Sequence, residues 1–230
     1  MSVIIISNGC VSCGSMLPVK GNGNIKTSET TYSVFEKISC GTSAAIRFHE
    51  AEEYRTVVSI DENLEQYIKL FARNNVLNIR TQDGCNISPT KFTVDVYCPV
   101  LTDILMSGSD SFEGMDIITV PIFNAAVSGS GKVESGIECE DFFCNISGSG
   151  KMIITGNGNN VYIDISGSGI FDGTKFNTKN ATVDISGSGD VYVCASDNLK
   201  VEISGSGNVY YSGEPQIESS ISGSGKVIKR

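Results

Sequence analysis

From residue 101 onward, apolar side chains occupy every second position, and the whole pattern returns every 18 to 21 residues. Ser-Gly-Ser-Gly begins at Ser128, Ser147, Ser166, Ser186, Ser204 and Ser222, and a variant, Ser107-Gly108-Ser109-Asp110, precedes them. One residue before each first serine stand Met106, Val127, Ile146, Ile165, Ile185, Ile203 and Ile221, all apolar. Five after it stand Phe112, Val133, Met152, Phe171, Val191, Val209 and Val227, again all apolar. Three before it the run is Ile104, Ala125, Cys144, Ile163, Val183 and Val201, broken only by Ser219. A period of two describes strands with one buried face. Like side chains recurring at this interval stack in register if the chain winds as a parallel coil, each about 4.8 Å above the last. Each coil then buries its apolar face against its neighbours.

Counting in twos from the apolar positions lands on glycines such as Gly148 and Gly150, while Ser147 and Ser149 take the opposite parity. The glycines are therefore expected at crowded or sharply bent inward corners. The serines are expected to face outward in two ladders. Residues 25–100 lack the mark but read as strands at Ala45–Phe48, Tyr54–Ile60, Val76–Arg80 and Lys91–Cys98. The spacing of Leu64, Ile68 and Phe71 behind Asp61 predicts one short helix over Asp61–Phe71. The division that follows is an N-terminal segment 1–24, flexible or the remnant of a leader. After it come a β-rich cap or opening coils at 25–100 and a seven-coil β-helix at 101–230.

Composition narrows the function classes. Twenty-five glycines against five prolines in 230 residues argue for tight turns over a disordered linker. A net charge of −9 with no basic stripe excludes nucleic acid and an anionic membrane surface as partners. No run approaches the roughly 20 apolar residues of a membrane span. Ile6-Ser7-Asn8-Gly9-Cys10 faintly matches a lipoprotein processing box, but its apolar stretch is short. The eight cysteines read mainly as buried thiols, and Cys10-Val-Ser-Cys13 has no second pair to complete a zinc site. No cofactor is expected.

Two sets of residues resemble a known family. One comprises Gly21-Asn22-Gly23-Asn24-Ile25, Phe35-Glu36-Lys37-Ile38, the strand Tyr54–Ile60, Asp61-Glu62-Asn63-Leu64 and Val76-Leu77-Asn78-Ile79. The other is the entry Cys98-Pro99-Val100-Leu101 with the repeats after it. Over residues 21–230 the chain resembles the putative auto-transporter adhesin, head GIN domain, family. The resemblance implies an all-β fold: a single-stranded right-handed parallel β-helix (solenoid) with a less regular N-terminal part. It also implies an exported protein of the bacterial cell envelope or exterior, and carries no catalytic residues.

Candidate chemistry lies on the outward face. Asn145, Asp164, Asp184 and Glu202 hold the same place on consecutive coils. A row of carboxylates would bind a cation such as calcium, or act as the acid pair of a polysaccharide hydrolase. The plainer account is a solvated charged face relieved by Lys200. The ladder Ser128, Ser147, Ser166, Ser186, Ser204 and Ser222 offers hydroxyls to a glycan or a partner chain, unless serine is simply the small residue that fits beside each glycine. His49, the lone histidine, is a base without a partner that spacing can name. The leading expectation is a non-enzymatic, adhesin-like scaffold binding glycan or a surface protein along the rod. The alternatives are a carbohydrate-active enzyme using Asp164, Asp184 and Glu202, and a bactofilin-like structural protein. The bare last coil at Val227–Arg230 suggests homo-oligomers formed end to end or side by side.

Overall fold

The computed structural model describes residues 17–230. The leader-like segment, the processing-box match and the Cys10–Cys13 pair lie wholly or largely outside those residues. The chain winds into a β-solenoid of about seven turns built from two parallel sheets. The first sheet runs through Lys37–Gly41, Asp103–Met106, Ile122–Gly129 and residues 141–148, 160–167, 180–187, 198–205 and 216–223, each paired in parallel with the next. The second runs through Ala45–Glu50, Ser111–Gly114 and residues 132–139, 151–158, 170–173, 190–194, 208–212 and 226–229. Four long strands, Lys132–Gly148, Lys151–Gly167, Ile170–Gly187 and Asp190–Gly205, carry the backbone from the second sheet of one coil into the first sheet of the next.

The Ser-Gly-Ser-Gly mark is the corner between the two sheets. Its first glycine is forced by backbone conformation: Gly148 has φ 117°, and a Cβ there would sit 2.7 Å from the carbonyl oxygen of Gly129. Its second glycine is forced by space, since a Cβ on Gly150 would collide with Val127 Cγ1 of the coil before. Ser149 N–H donates to Gly129 O at 2.9 Å, and the same bond recurs at later corners. In the variant corner, Asp110 replaces the second glycine. It is buried, and its Oδ1 accepts from Thr42 N–H, Thr42 Oγ1 and Ala44 N–H. The carboxylate thus satisfies the backbone of an earlier corner, Gly41-Thr42-Ser43-Ala44, that lacks the Ser-Gly-Ser-Gly sequence.

Inside, Ile146, Ile165 and Ile185 are fully buried, and Phe142 packs against Phe123, Phe171 and Phe176 at 5.8 to 6.1 Å between ring centroids. Six cysteines lie among the described residues. Cys40, Cys98 and Cys144 are buried, whereas Cys85, Cys139 and Cys194 are only half-buried.

Space and sequence part company in the first hundred residues. Lys37–Gly41 pairs with Asp103–Met106 on one side and with Val76–Thr81 on the other. Ala45–Glu50 likewise lies between Ser111–Gly114 and Phe92–Cys98. Beyond these the pairing turns antiparallel: Arg55–Asp61 lies on Phe92–Cys98, Ile25–Thr31 lies on Arg55–Asp61, and Ile68–Arg73 lies on Val76–Thr81.

The expected helix over Asp61–Phe71 is not formed. Only Glu65–Tyr67 makes a single 3₁₀ turn, and Ile68–Arg73 is a strand. Ile68, Leu70 and Ala72 alternate inward while Phe71 is exposed, so a period of two overrides the helical spacing. Asn74 and Asn75, at φ 52° and 65°, supply the two-residue hairpin turn behind it. Asp61 is not a helix cap. Its buried carboxylate accepts from Gly23 N–H, Thr90 N–H and Thr90 Oγ1, each at 2.7 Å. Burial pulls its pKa up, but these hydrogen bonds outweigh it and the net direction is down.

Candidate functional site

Every ladder is set by register. Ser128, Ser147, Ser166, Ser186, Ser204 and Ser222 stand one above another on the first sheet, all exposed. Two residues earlier on each coil the order is Leu105, Ala126, Asn145, Asp164, Asp184 and Glu202. The acidic row of the sequence is therefore one continuous outward column. Two residues earlier again comes Lys37, Asp103, Asn124, Phe143, Tyr162, Thr182 and Lys200.

The middle of the last two columns, from Asp103 and Leu105 to Thr182 and Asp184, lines an open groove of about 480 Å³ on the outer face of the first sheet. Its ends carry ion pairs, Lys37 Nζ with Asp103 Oδ2 at 3.1 Å and Lys200 Nζ with Glu202 Oε1 at 2.9 Å. Between them Phe143 and Tyr162 stack face to face, 4.7 Å apart and 9° from parallel. The two rings are 41% and 39% exposed. Burial first, then the charges of Asp164 and Glu202, raise the pKa of Asp184, with Lys200 opposing. Among the described residues no hydrogen bond or ion pair engages the side chains of Asn145, Asp164 or Asp184. Nor does any group of three or more His, Cys, Asp or Glu residues among them converge as a metal ion requires.

The contrast with a neighbouring column is informative. At the bend between the sheets Asn198 donates to Asn180 at 2.7 Å, Asn180 to Asn160 at 2.9 Å, and Asn160 to Asp141 at 2.7 Å. That ladder is closed on itself. It was missed in the sequence, although Asp141, Asn160, Asn180 and Asn198 repeat at the interval of the serines. The aromatic pair was missed too, because Phe143 and Tyr162 are not matched by rings on the other coils. His49 proves to be a surface residue: its Nε2 lies 3.2 Å from Asp95 Oδ1, and its ring stacks on Tyr97.

Several known proteins share this architecture. A "putative lipid binding protein" of Parabacteroides distasonis ATCC 8503 is 25% identical, with a TM-score of 0.80 over 93% of this chain and 100% of its own. A "putative adhesin" of Parabacteroides merdae ATCC 43184 has 23% identity and a TM-score of 0.75, over 92% and 98%. Another of that name, from Bacteroides fragilis NCTC 9343, has 17% identity and a TM-score of 0.86, over 92% and 100%. At such identities the last two speak for the fold alone. No curated protein matches the chain. A family model described as "Putative auto-transporter adhesin, head GIN domain" matches residues 34–215, most of the solenoid and its groove. The chain belongs to that family.

Proposed function

We propose that the protein is a non-enzymatic scaffold of the cell surface or envelope that holds a glycan or protein ligand against the outer face of its first sheet. One observation carries the reading: an open groove in which a stacked aromatic pair stands beside the Asn145 amide and the Asp164 and Asp184 carboxylates, which hydrogen-bond to no other described residue. Ligand sites combine apolar surface with a few polar groups that fix orientation, and a stacked sheet holds such groups rigidly. The serine column, with Ser147, Ser166 and Ser186 two residues along from the acceptors, extends the polar surface beside the groove. Family membership supports an adhesin-like role. No helix among the described residues is long and apolar enough to cross a membrane.

The test uses immobilised glycans and extracellular-matrix proteins, probed with wild type and with Tyr162→Ala, and a reducing-end assay on the same polysaccharides. Saturable binding that Tyr162→Ala weakens, without release of reducing ends, supports the reading. Cleavage that disappears in Asp164→Asn or Asp184→Asn would overturn the non-enzymatic part and turn the same row into an acid pair.

A further inference from the structure

Three pairs of rings stack face to face among the described residues, and two of them are covered. Arg55 lies 3.6 Å over Tyr97, which stacks on His49. Arg230 lies 4.8 Å over Tyr192 and 5.0 Å over Tyr210, which stack on each other. A guanidinium is attracted to a ring face by the quadrupole of the π system. Among the described residues no cation lies over Phe143 or Tyr162, and both stand exposed in the groove.

The lining restricts what fills it. Asp103, Asp164 and Asp184 line the groove, and no lysine or arginine does. Asp103 is neutralised by Lys37. The remaining charges, Asp164 and Asp184, are negative and repel anions, while the Asn124 and Asn145 amides and the Thr182 and Tyr162 hydroxyls both donate and accept, which calls for a neutral ligand rich in hydroxyls. The sheet's backbone N–H and C=O groups are paired coil to coil through this region, so an extended peptide finds no strand edge to join. An acyl chain would have to lie against unpaired carboxylates, at a desolvation cost it cannot repay. What remains is a molecule with a flat apolar face and a rim of hydroxyls.

Resting on the scaffold reading above, we propose that the groove is a binding site for a neutral saccharide. One pyranose face lies on an outer ring face of the Phe143–Tyr162 stack, and the hydroxyls of the chain donate to Asn145, Asp164 and Asp184. The two columns are neighbours on the same sheet, offset by two residues of about 3.3 Å each, so one sugar unit touches both. Adjacent coils repeat the acceptors about 4.8 Å apart, and a chain of sugars runs along the rod.

An array of neutral gluco-, galacto- and manno-oligosaccharides, with sialylated and sulfated oligosaccharides and phosphatidylcholine vesicles as competing classes, tests this. Calorimetry follows on the tightest neutral oligosaccharide. Neutral oligosaccharides should bind, with little change between low and high salt. Phe143→Ala and Tyr162→Ala should each weaken binding about tenfold, and Asp164→Asn several-fold. Tyr210→Ala, on the other sheet, should leave it unchanged, and thermal melting of each variant confirms the fold. The proposal is overturned if sulfated or sialylated oligosaccharides or vesicles bind in preference. It is also overturned if neutral oligosaccharides bind equally well without the two rings. If no oligosaccharide binds but a matrix protein does so in a Tyr162-dependent way, the saccharide fails and the scaffold stands. If a bound oligosaccharide is cleaved, the scaffold reading fails and the saccharide stands.

Discussion

Asp184 lies between two like charges, Asp164 on one coil and Glu202 on the other. Burial and those neighbours raise its pKa, so the folded protein holds this proton more tightly than the unfolded chain does. Stability is therefore lost as pH rises from the unfolded value, about 3.9, through the raised folded value, and the full cost is present at neutrality. Asp184→Asn should gain about 0.5 kcal/mol at pH 7 and nothing at pH 3, as read from urea unfolding at the two pH values. A loss at pH 7 would mean that the carboxylate is favourably engaged. The thiols make a second case. Burial holds Cys98 up at about 12 and Cys139 at about 11, and it moves Cys40 and Cys144 upward as well. Because the thiolate is the nucleophile, iodoacetamide at pH 8 should modify these four only after denaturation. Mass spectrometry of native and unfolded samples reads this directly, and rapid native labelling of Cys144 would contradict its place in the core.

The strand and the corner are where sequence reading did best. Parity placed isoleucines inward, serines outward and glycines at the bends, because a two-residue period and an absent Cβ each leave a direct trace in the residue types. It failed at Asp61–Phe71, where three apolar residues fit both a helix and a strand. There the hairpin turn at Asn74–Asn75, not the spacing, decided the outcome. The groove was half legible. Asp164 and Asp184 came from the repeat, whereas Phe143 and Tyr162 occur on two coils only and carry no periodic signal. The asparagine column was readable from its interval and overlooked because it is polar. Asn180 in that column both donates and accepts. Asn180→Ala should therefore cost about 1–2 kcal/mol by stranding groups on both neighbours, with Asn180→Asp also destabilising because it puts a carboxylate where Asn160 needs a donor. Urea midpoints of the two variants are the check.

At the scale of the molecule, stability comes from contacts between successive coils. Deleting residues 180–197 joins Lys179 to Asn198, the register partner of Asn180. The product should fold one coil shorter, with an unchanged β signature in circular dichroism. Collapse into aggregate would show that the coils are not interchangeable. The two ends differ. Lys37–Glu50 is held between strands made by residues 76–98 on one side and 103–114 on the other. Lys37–Glu50 cannot be drawn out without parting both. The later coils have no such interlock. Under tension in an optical trap they should unravel one after another, each giving up about 65 Å of chain, while the interlocked residues 37–114 yield last. A protein anchored and loaded along this axis would behave as a spool with a fixed hub, paying out length before it lets go.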